Sequence, residues 1–371
     1  MAELTGKLGF GCMRLPRLES GEVDMALFTQ RVDAYMANGF NYFDTADKYM
    51  GGKSEPALRR ALVERYPRDS YILTTKLSNE FMRSREEQAR VFDEQLSILG
   101  VEYFDYYLLH NQGAGNYKVS CELDSFAFVH EKQREGKVSH IGMSYHDNAE
   151  LLDEILIAHP EIEVVQLQIN YLDWENESIQ SRKCLEVANR HGKRVFVMEP
   201  IKGGNLVRLP EAAEKLFRDH APDASPASWA LRFAASQPGV QVVLSGMNSM
   251  AQLEDNMRAL GDFTPMTEEE TALTQAAAKL ISASLPIPCT GCGYCTVQCP
   301  KKIPIPEYFA LFQQGYMSTQ LVYYWNIAQS KSRAGDCVKC GVCMKHCPQH
   351  IEIPRHLSEI SERFDGFKGW R

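Results

Sequence analysis

Long apolar runs are missing from this chain of 371 residues. No stretch of about 18 apolar residues occurs, so a membrane-spanning helix is not expected. The first residues, Met1-Ala2-Glu3-Leu4-Thr5, lack the basic segment and apolar run of a secretory leader. Positive charge is in deficit, with 40 Lys and Arg against 48 Asp and Glu and a net charge of −8. That balance argues against nucleic acid as a partner. No Gly-x-Gly-x-x-Gly run follows the first strand-like segment, which weakens an open doubly wound sheet as the fold. No flavin motif is seen.

What is present is a regular alternation of strand-like and helix-like segments. Strands are expected over Leu8–Met13, Phe40–Asp44, Tyr71–Lys76, Phe104–His110, His140–Ser144, Val164–Ile169, Val195–Glu199 and Val240–Leu244. Helices are expected over Asp24–Asn38, Ser54–Tyr66, Ser84–Leu99, Glu122–Arg134, Asn148–His159, Ser178–His191, Pro226–Ala235 and Ser249–Leu260. Eight strand–helix units in about 260 residues imply an α/β fold, a parallel (β/α)₈ barrel. The length suggests a second domain. We expect a barrel over residues 1–265, a helical linker over 266–285 and a small α+β unit over 286–371.

Four polar residues stand at or just past the C-terminal ends of expected strands: Asp44, Tyr49, Lys76 and His110. In a barrel those ends share one mouth, where catalytic groups collect. Each has a plainer role available: a helix cap, a surface aromatic, a solvated charge, a core histidine. Together they form a proton-delivery set. Hydride addition to a carbonyl leaves an alkoxide that needs a proton. A phenol beside an ammonium is a better acid. The carboxylate would anchor the lysine, and the histidine could donate to the carbonyl oxygen and orient it.

Here the sequence resembles the aldo-keto reductase family over most of residues 6–262. The motifs that carry the likeness are Leu8–Leu15, Phe43-Asp44-Thr45-Ala46 with Tyr49, Gly52-Lys53-Ser54-Glu55, Thr75-Lys76, Leu108-Leu109-His110, Gly142-Met143-Ser144 and Glu199-Pro200. The resemblance implies a barrel that binds NADP(H) or NAD(H) and a catalytic set of Asp44, Tyr49, Lys76 and His110. It places the nicotinamide carboxamide on Ser144 and Gln166. It places the adenosine phosphates and adenine near Ser245, Gly246, Asn248, Gln252, Asp255 and Asn256. Met198 stands where many members stack an aromatic ring on the nicotinamide. Gln252 stands where many hold an arginine against a 2′-phosphate, which leaves the choice of nucleotide open. Lys202 and Gly203 could meet the pyrophosphate, or mark only a turn.

The last 86 residues differ in character. From Pro286 onward there are 10 Lys and Arg against 6 Asp and Glu, leaving −12 for the rest of the chain. Eight of the 11 cysteines lie here, in two C-x₂-C-x₂-C-x₃-C-P runs. Three closely spaced thiolates wrap one corner of an iron–sulfur cubane, and the fourth ligates the other cluster. On that rule one [4Fe-4S] cluster takes Cys289, Cys292, Cys295 and Cys347. The other takes Cys337, Cys340, Cys343 and Cys299. Zinc more often draws two cysteine pairs. Such clusters suit a reducing cytoplasm, so disulfides are not expected. Cys12, Cys121 and Cys184 read as ordinary thiols. The aromatic-rich segment between the motifs, Ile305 to Gln329, should supply one or two helices, packed on the clusters and the barrel or forming a partner surface. Some microbial members of the family look like this chain, with a ferredoxin-type tail where others have a pocket-shaping loop. The tail is therefore expected to fold back near the barrel mouth or against its side.

The sequence thus points to an NAD(P)H-dependent oxidoreductase acting on a small carbonyl or conjugated carbonyl. The clusters could be structural, could sense redox poise, or could feed single electrons to substrate. A redox partner protein is possible. The alternative is a weakly catalytic sensing or docking subunit of an electron-transfer complex.

Overall fold

A computed structural model describes residues 2–313 and 317–367. Eight strands close into an all-parallel barrel in sequence order. They are β1 (Leu8–Gly11), β2 (Tyr42–Asp44), β3 (Ile72–Leu77), β4 (Phe104–Gln112), β5 (Val138–Tyr145), β6 (Val164–Gln168), β7 (Arg194–Met198) and β8 (Val240–Ser245). Each is buried on both faces, which is why the sequence shows them as apolar runs rather than alternating patterns.

Around the barrel run α1 (Met25–Ala37), α2 (Ser54–Leu58, continued by a π-helical turn Arg59–Val63), α3 (Arg85–Leu99), α4 (Ala114–Glu122), α5 (Ser125–Arg134), α6 (Ala149–Ala158), α7 (Ser181–Arg190), α8 (Glu211–His220), α9 (Pro226–Ala235) and α10 (Met250–Leu260). The starts follow local chemistry: the Asp24, Ser84, Asn148, Ser225 and Ser249 side chains each accept from a backbone N–H of the first turn.

Several boundaries move. β1 stops at Gly11, two residues before the expected end. β4 runs past His110 to Gln112, through an irregular register beyond Leu109. β7 stops at Met198 because Glu199 has φ +54°, which no strand accepts. The single helix expected over Glu122–Arg134 is in fact the end of α4 and all of α5, broken at Asp124 (φ +54°). α8 was not expected at all.

The barrel interior is a plug of Tyr42, Ile72, Tyr106, Leu108, Val164, Phe196, Val242 and Leu244. It has no room to spare: a Cβ on Gly142 would sit 2.7 Å from Leu108 Cδ2 and 2.5 Å from Val164 O. Side chains alternate along a strand. The residues two further on from this plug therefore also point inward, one layer nearer the C-terminal mouth. They are Asp44, Lys76 (two past Thr74), His110, Ser144, Gln166 and Met198.

The expected linker is α11 (Glu268–Ala283), which opens with a reciprocal capping box of Thr267 and Glu270. It lies on the barrel, burying Ala277 and Ile281 in the barrel's outer core, and Arg232 holds Glu270 through two hydrogen bonds of 2.7 and 2.9 Å. Beyond it come α12 (Tyr294–Val297), α13 (Ile305–Gln313), α14 (Met317–Ser330), α15 (Val342–Lys345) and α16 (Ile353–Phe364). The α+β expectation for this unit needs correcting. Among the described residues it holds helices and turns with no strand, because α13, α14 and α16 form the apolar layer over the cysteine loops. Tyr316, one of the aromatics noted in the sequence, lies outside the described residues.

Candidate active site

Inward parity delivers the expected groups to one cavity of about 970 Å³ at the C-terminal mouth. That is the upper end of the range for small-molecule sites, about 300–1,000 Å³. Asp44, Tyr49, His110, Ser144, Gln166, Met198, Gly203, Ser245, Gly246, Asn248, Gln252, Asp255 and Asn256 all line it.

Lys76 lies just beneath, fully buried. Its Nζ is 2.5 Å from Asp44 Oδ1 and donates to Thr45 O at 2.8 Å. The same ammonium sits 4.8 Å from the centre of the Tyr49 ring. Burial alone would lower the Lys76 pKa, but Asp44 and Tyr49 carry it above its usual value. Burial raises the Tyr49 phenol, and the pull of Lys76 only partly offsets this. Tyr49 is therefore a neutral phenol at ordinary pH, with a proton to give.

His110 meets Tyr49 edge-to-face, ring centres 5.7 Å apart. Burial, then Lys76 and His146, hold its pKa well below the usual histidine value. Gln166 Nε2 donates to Asp44 Oδ2 at 3.0 Å. Ser144 Oγ accepts from the Asn111 backbone N–H at 2.7 Å.

At the other end of the cavity, Asn256 Nδ2 donates to Ser245 Oγ at 2.8 Å, and Asp255 accepts from Ser225. The loop after β8 is tied down from behind by the buried Arg31, which donates to Met247 O at 2.9 Å and to Asn248 O. Gln252 Oε1 accepts from the Asn248 N–H at 2.6 Å. Lys202 does not reach the cavity. Its ammonium is buried in a pair with Asp173, 2.5 Å to each carboxylate oxygen, and Asp173 also accepts from Gln168 and Asn170. An ion pair so placed fixes the turn after β7 and leaves the Gly203-Gly204 backbone as the surface there.

Sequence reasoning missed Ser78, Glu80, Asn111 and His146, which also line the cavity. Burial pushes the Glu80 carboxyl up to about 8 and the His146 imidazole down to about 4. Inward parity on β5, two residues beyond Ser144, would have found His146. Met50, Asn111 and Glu199, all with φ of +54° to +57°, stand at the same mouth. Backbone strain of this kind gathers at functional sites. Of the leftover cysteines, Cys12 and Cys184 are buried, with thiols pushed up by that burial, and Cys121 is exposed. None lines the cavity.

The C-terminal unit closes one side of the mouth. Thr319 and Val322 of α14 line the cavity. Asn326 Nδ2 donates to His146 O at 2.8 Å, and Tyr323 packs edge-on against the His146 ring. Gly113 permits this: a Cβ there would lie 2.3 Å from Asn326 Nδ2.

The cysteines surround two separate voids. One is lined by Cys289, Cys292, Cys295 and Cys347, the other by Cys299, Cys337, Cys340 and Cys343. Each therefore draws three cysteines from one run and the fourth from the other. Among the described residues no group of three His, Cys, Asp or Glu side chains closes on a single ion. The quartets frame spaces rather than points. Gly291, Gly293 and Gly341, at φ of +71° to +74°, let the chain curl at these places.

Residues 7–279 match the model of the aldo/keto reductase family, and residues 288–352 match that of the 4Fe-4S dicluster domain. This chain belongs to the aldo/keto reductase family. An uncharacterized oxidoreductase of Bacillus subtilis, YqkF, is 25% identical over 303 residues, covering 74% of this chain and 92% of the relative. A probable aldo-keto reductase of Glycine max is 28% identical over 295 residues, 68% of this chain and 80% of its own length. Among solved structures, the holo form of an aldo-keto reductase from Bacillus halodurans superposes with a TM-score of 0.61 at 27% identity, covering 75% of this chain and 94% of that one. This member of the aldo/keto reductase family thus carries an iron–sulfur dicluster domain at the C-terminal side of its barrel. Among the described residues, no helix is long and apolar enough to cross a membrane.

Proposed function

We propose that this chain is an NAD(P)-dependent oxidoreductase that interconverts a small carbonyl compound and its alcohol, with Tyr49 as the proton donor. The observation that carries this reading is the buried Asp44–Lys76 pair set beneath the Tyr49 ring at the floor of the large cavity. A nicotinamide dinucleotide bound there supplies or accepts hydride. Gln166 and Ser144 are the polar groups for its carboxamide. The Gly246 backbone, just ahead of the 11-residue α10, suits its phosphates, because the dipole at a helix N-terminus favours anions. Ser225, Gln252, Asp255 and Asn256 surround the far end. No arginine is among these four, so the nucleotide preference is left to experiment.

The Tyr49 proton is held ready by burial. Lys76 sits where it can stabilise the phenolate once that proton has gone. Two [4Fe-4S] clusters fit the two four-cysteine voids and would supply one-electron chemistry. Hydride transfer moves two electrons together, so no direct step between nicotinamide and cluster is assigned.

Titrating NADPH and NADH into the protein, then assaying aldehydes and ketones with native chain and Tyr49→Phe, tests the reading. Tight nucleotide binding with turnover lost in Tyr49→Phe supports it. Unchanged turnover removes Tyr49 from the role. Nucleotide binding with no turnover of any carbonyl would favour the sensing or docking alternative. Iron and sulfide analysis tests the clusters, and stoichiometric zinc without iron would overturn them.

A further inference from the structure

The two cysteine runs trace one backbone twice. Residues 289–306 align with 337–354 without a gap, cysteine on cysteine and Pro300 on Pro348. Both are left-handed at the same three places: Gly291 and Lys339 at φ +73° and +55°, Gly293 and Gly341 at +74° and +71°, Lys302 and His350 at +54° and +52°. Such a backbone suits glycine and strains a lysine, so Lys339 is held where the first run shows that glycine serves. Strain of this kind gathers where a side chain has a function. Lys339 stands beside Cys340, which is exposed, as is its counterpart Cys292. Both voids therefore reach the surface at these two cysteines. That surface is apolar and basic. Tyr294, Val297, Val338 and Met344 are large apolar side chains left exposed, Tyr294 at 60% and Val297 at 67%. α12, which carries the first two, packs on α15, which carries Met344. Val338 and Lys301 line the same void, and Lys302 Nζ donates to Val297 O at 3.1 Å. Residues 288–302 and 337–350 contain Lys301, Lys302, Lys339 and Lys345 and no Asp or Glu. Among the described residues nothing packs over the turns: a Cβ on Gly291, Gly293 or Gly341 would meet no atom within 4 Å.

We propose that this face docks a small acidic one-electron carrier protein, which passes its electron to the iron–sulfur unit beneath. This rests on the reading above that [4Fe-4S] clusters fill the two voids. Charge selects the occupant. The chain ahead of Pro286 carries −12, so the barrel repels an acidic protein and the lysines of this face attract it. A cluster held by four thiolates is itself anionic. Lysines set between it and solvent are what lets an acidic carrier come within reach. Nucleic acid would meet the same lysines but has no use for Tyr294, Val297, Val338 and Met344, which match the apolar centre of a protein contact. Electron-transfer encounters are small, burying under about 1,200 Å², which a patch of this kind can supply. In the step itself the reduced carrier loses one electron and an oxidised cluster gains it. No bond forms or breaks, and no proton has to move.

The test mixes the full chain, purified with its iron, with an acidic flavodoxin reduced to the hydroquinone. Flavin semiquinone should appear at a rate that falls as salt rises from about 0.01 M to about 0.5 M. Lys339→Glu combined with Lys345→Glu should slow that rate about tenfold or more at low salt. Lys339→Gly keeps the turn and drops the charge. It should slow the rate about two- to threefold with no fall in melting temperature. Reduced methyl viologen, a small cationic donor, should reduce every variant at least as fast as native protein. Slowing with both donors would place the effect on the cluster and overturn the docking. A flavodoxin rate indifferent to salt and to both lysines would overturn it too. So would self-association of the native chain in ultracentrifugation that Tyr294→Glu abolishes, since a second copy would then cover the face. Tighter lysine-dependent binding of a short DNA duplex than of oxidised flavodoxin would hand the face to nucleic acid. Lysine-dependent binding of oxidised flavodoxin by a chain that holds no iron would remove the cluster reading and leave the docking face standing.

Discussion

At the scale of single residues, burial decides most of the chemistry. Tyr49 is kept protonated by its surroundings although an ammonium lies under its ring. Tyr49→Phe should lower turnover by about 10²–10⁴-fold, the usual weight of a positioned proton donor, with nucleotide affinity unchanged. Steady-state kinetics beside a nucleotide titration would show the split. Glu55 is a second case. It is buried behind the strand that bears Lys76, and burial lifts its carboxyl to about 7 although Thr75 and Gln95 donate to it. A carboxyl raised on folding favours the native state at low pH. Its contribution is fully present below pH ~4.5 and is lost as pH rises through about 7. Urea unfolding at pH 5 and pH 8 should therefore show the native protein losing about 3 kcal/mol more than Glu55→Gln over that interval. An equal pH slope in both proteins would refute it. Lys202 belongs with these. Lys202→Met strands Asp173 as a buried unpaired charge and should cost about 3–5 kcal/mol, read in the same unfolding assay.

Elements show what a sequence can and cannot reveal. The eight strands were legible because both their faces are buried, and their mouths were legible because polar residues interrupt apolar runs there. The pairing of Lys202 with Asp173 was not legible. The two are 29 residues apart, on different loops, and no pattern in the chain links them. Ser78 and Asp47 escaped for the same reason, being brought together only by the β2–β3 pairing. The division between α4 and α5 was hidden because Asp124 adopts a left-handed backbone without a glycine to announce it. The placement of the tail depends on one glycine, Gly113, and one amide, Asn326. Gly113→Val should push α14 away from the mouth. The expected signs are a higher KM for substrate with nucleotide affinity retained, and faster proteolysis within α14 (Met317–Ser330).

For the whole molecule, the cavity is shared: its floor is barrel, and one of its walls is α14 of the C-terminal unit. Losing the metal content of that unit should therefore alter substrate kinetics even if no electron from a cluster enters the reaction. Chelation of the purified protein, followed by measurement of KM and of the melting temperature, would show whether the wall depends on the voids being filled. Cys347→Ser should lower the iron content by loss from the void of Cys289, Cys292 and Cys295, which that residue closes from the other run, and unchanged iron would show that it is no ligand.

That exchange of cysteines has a consequence for how the molecule is made. A ribosome releases the chain from its N-terminus, so the first run emerges tens of residues ahead of the second. Neither void can be walled on all sides until Cys343 is out, and the one that begins with Cys289 must wait for Cys347. An iron–sulfur centre held there would then be inserted only after the barrel, which precedes both runs, has had time to close.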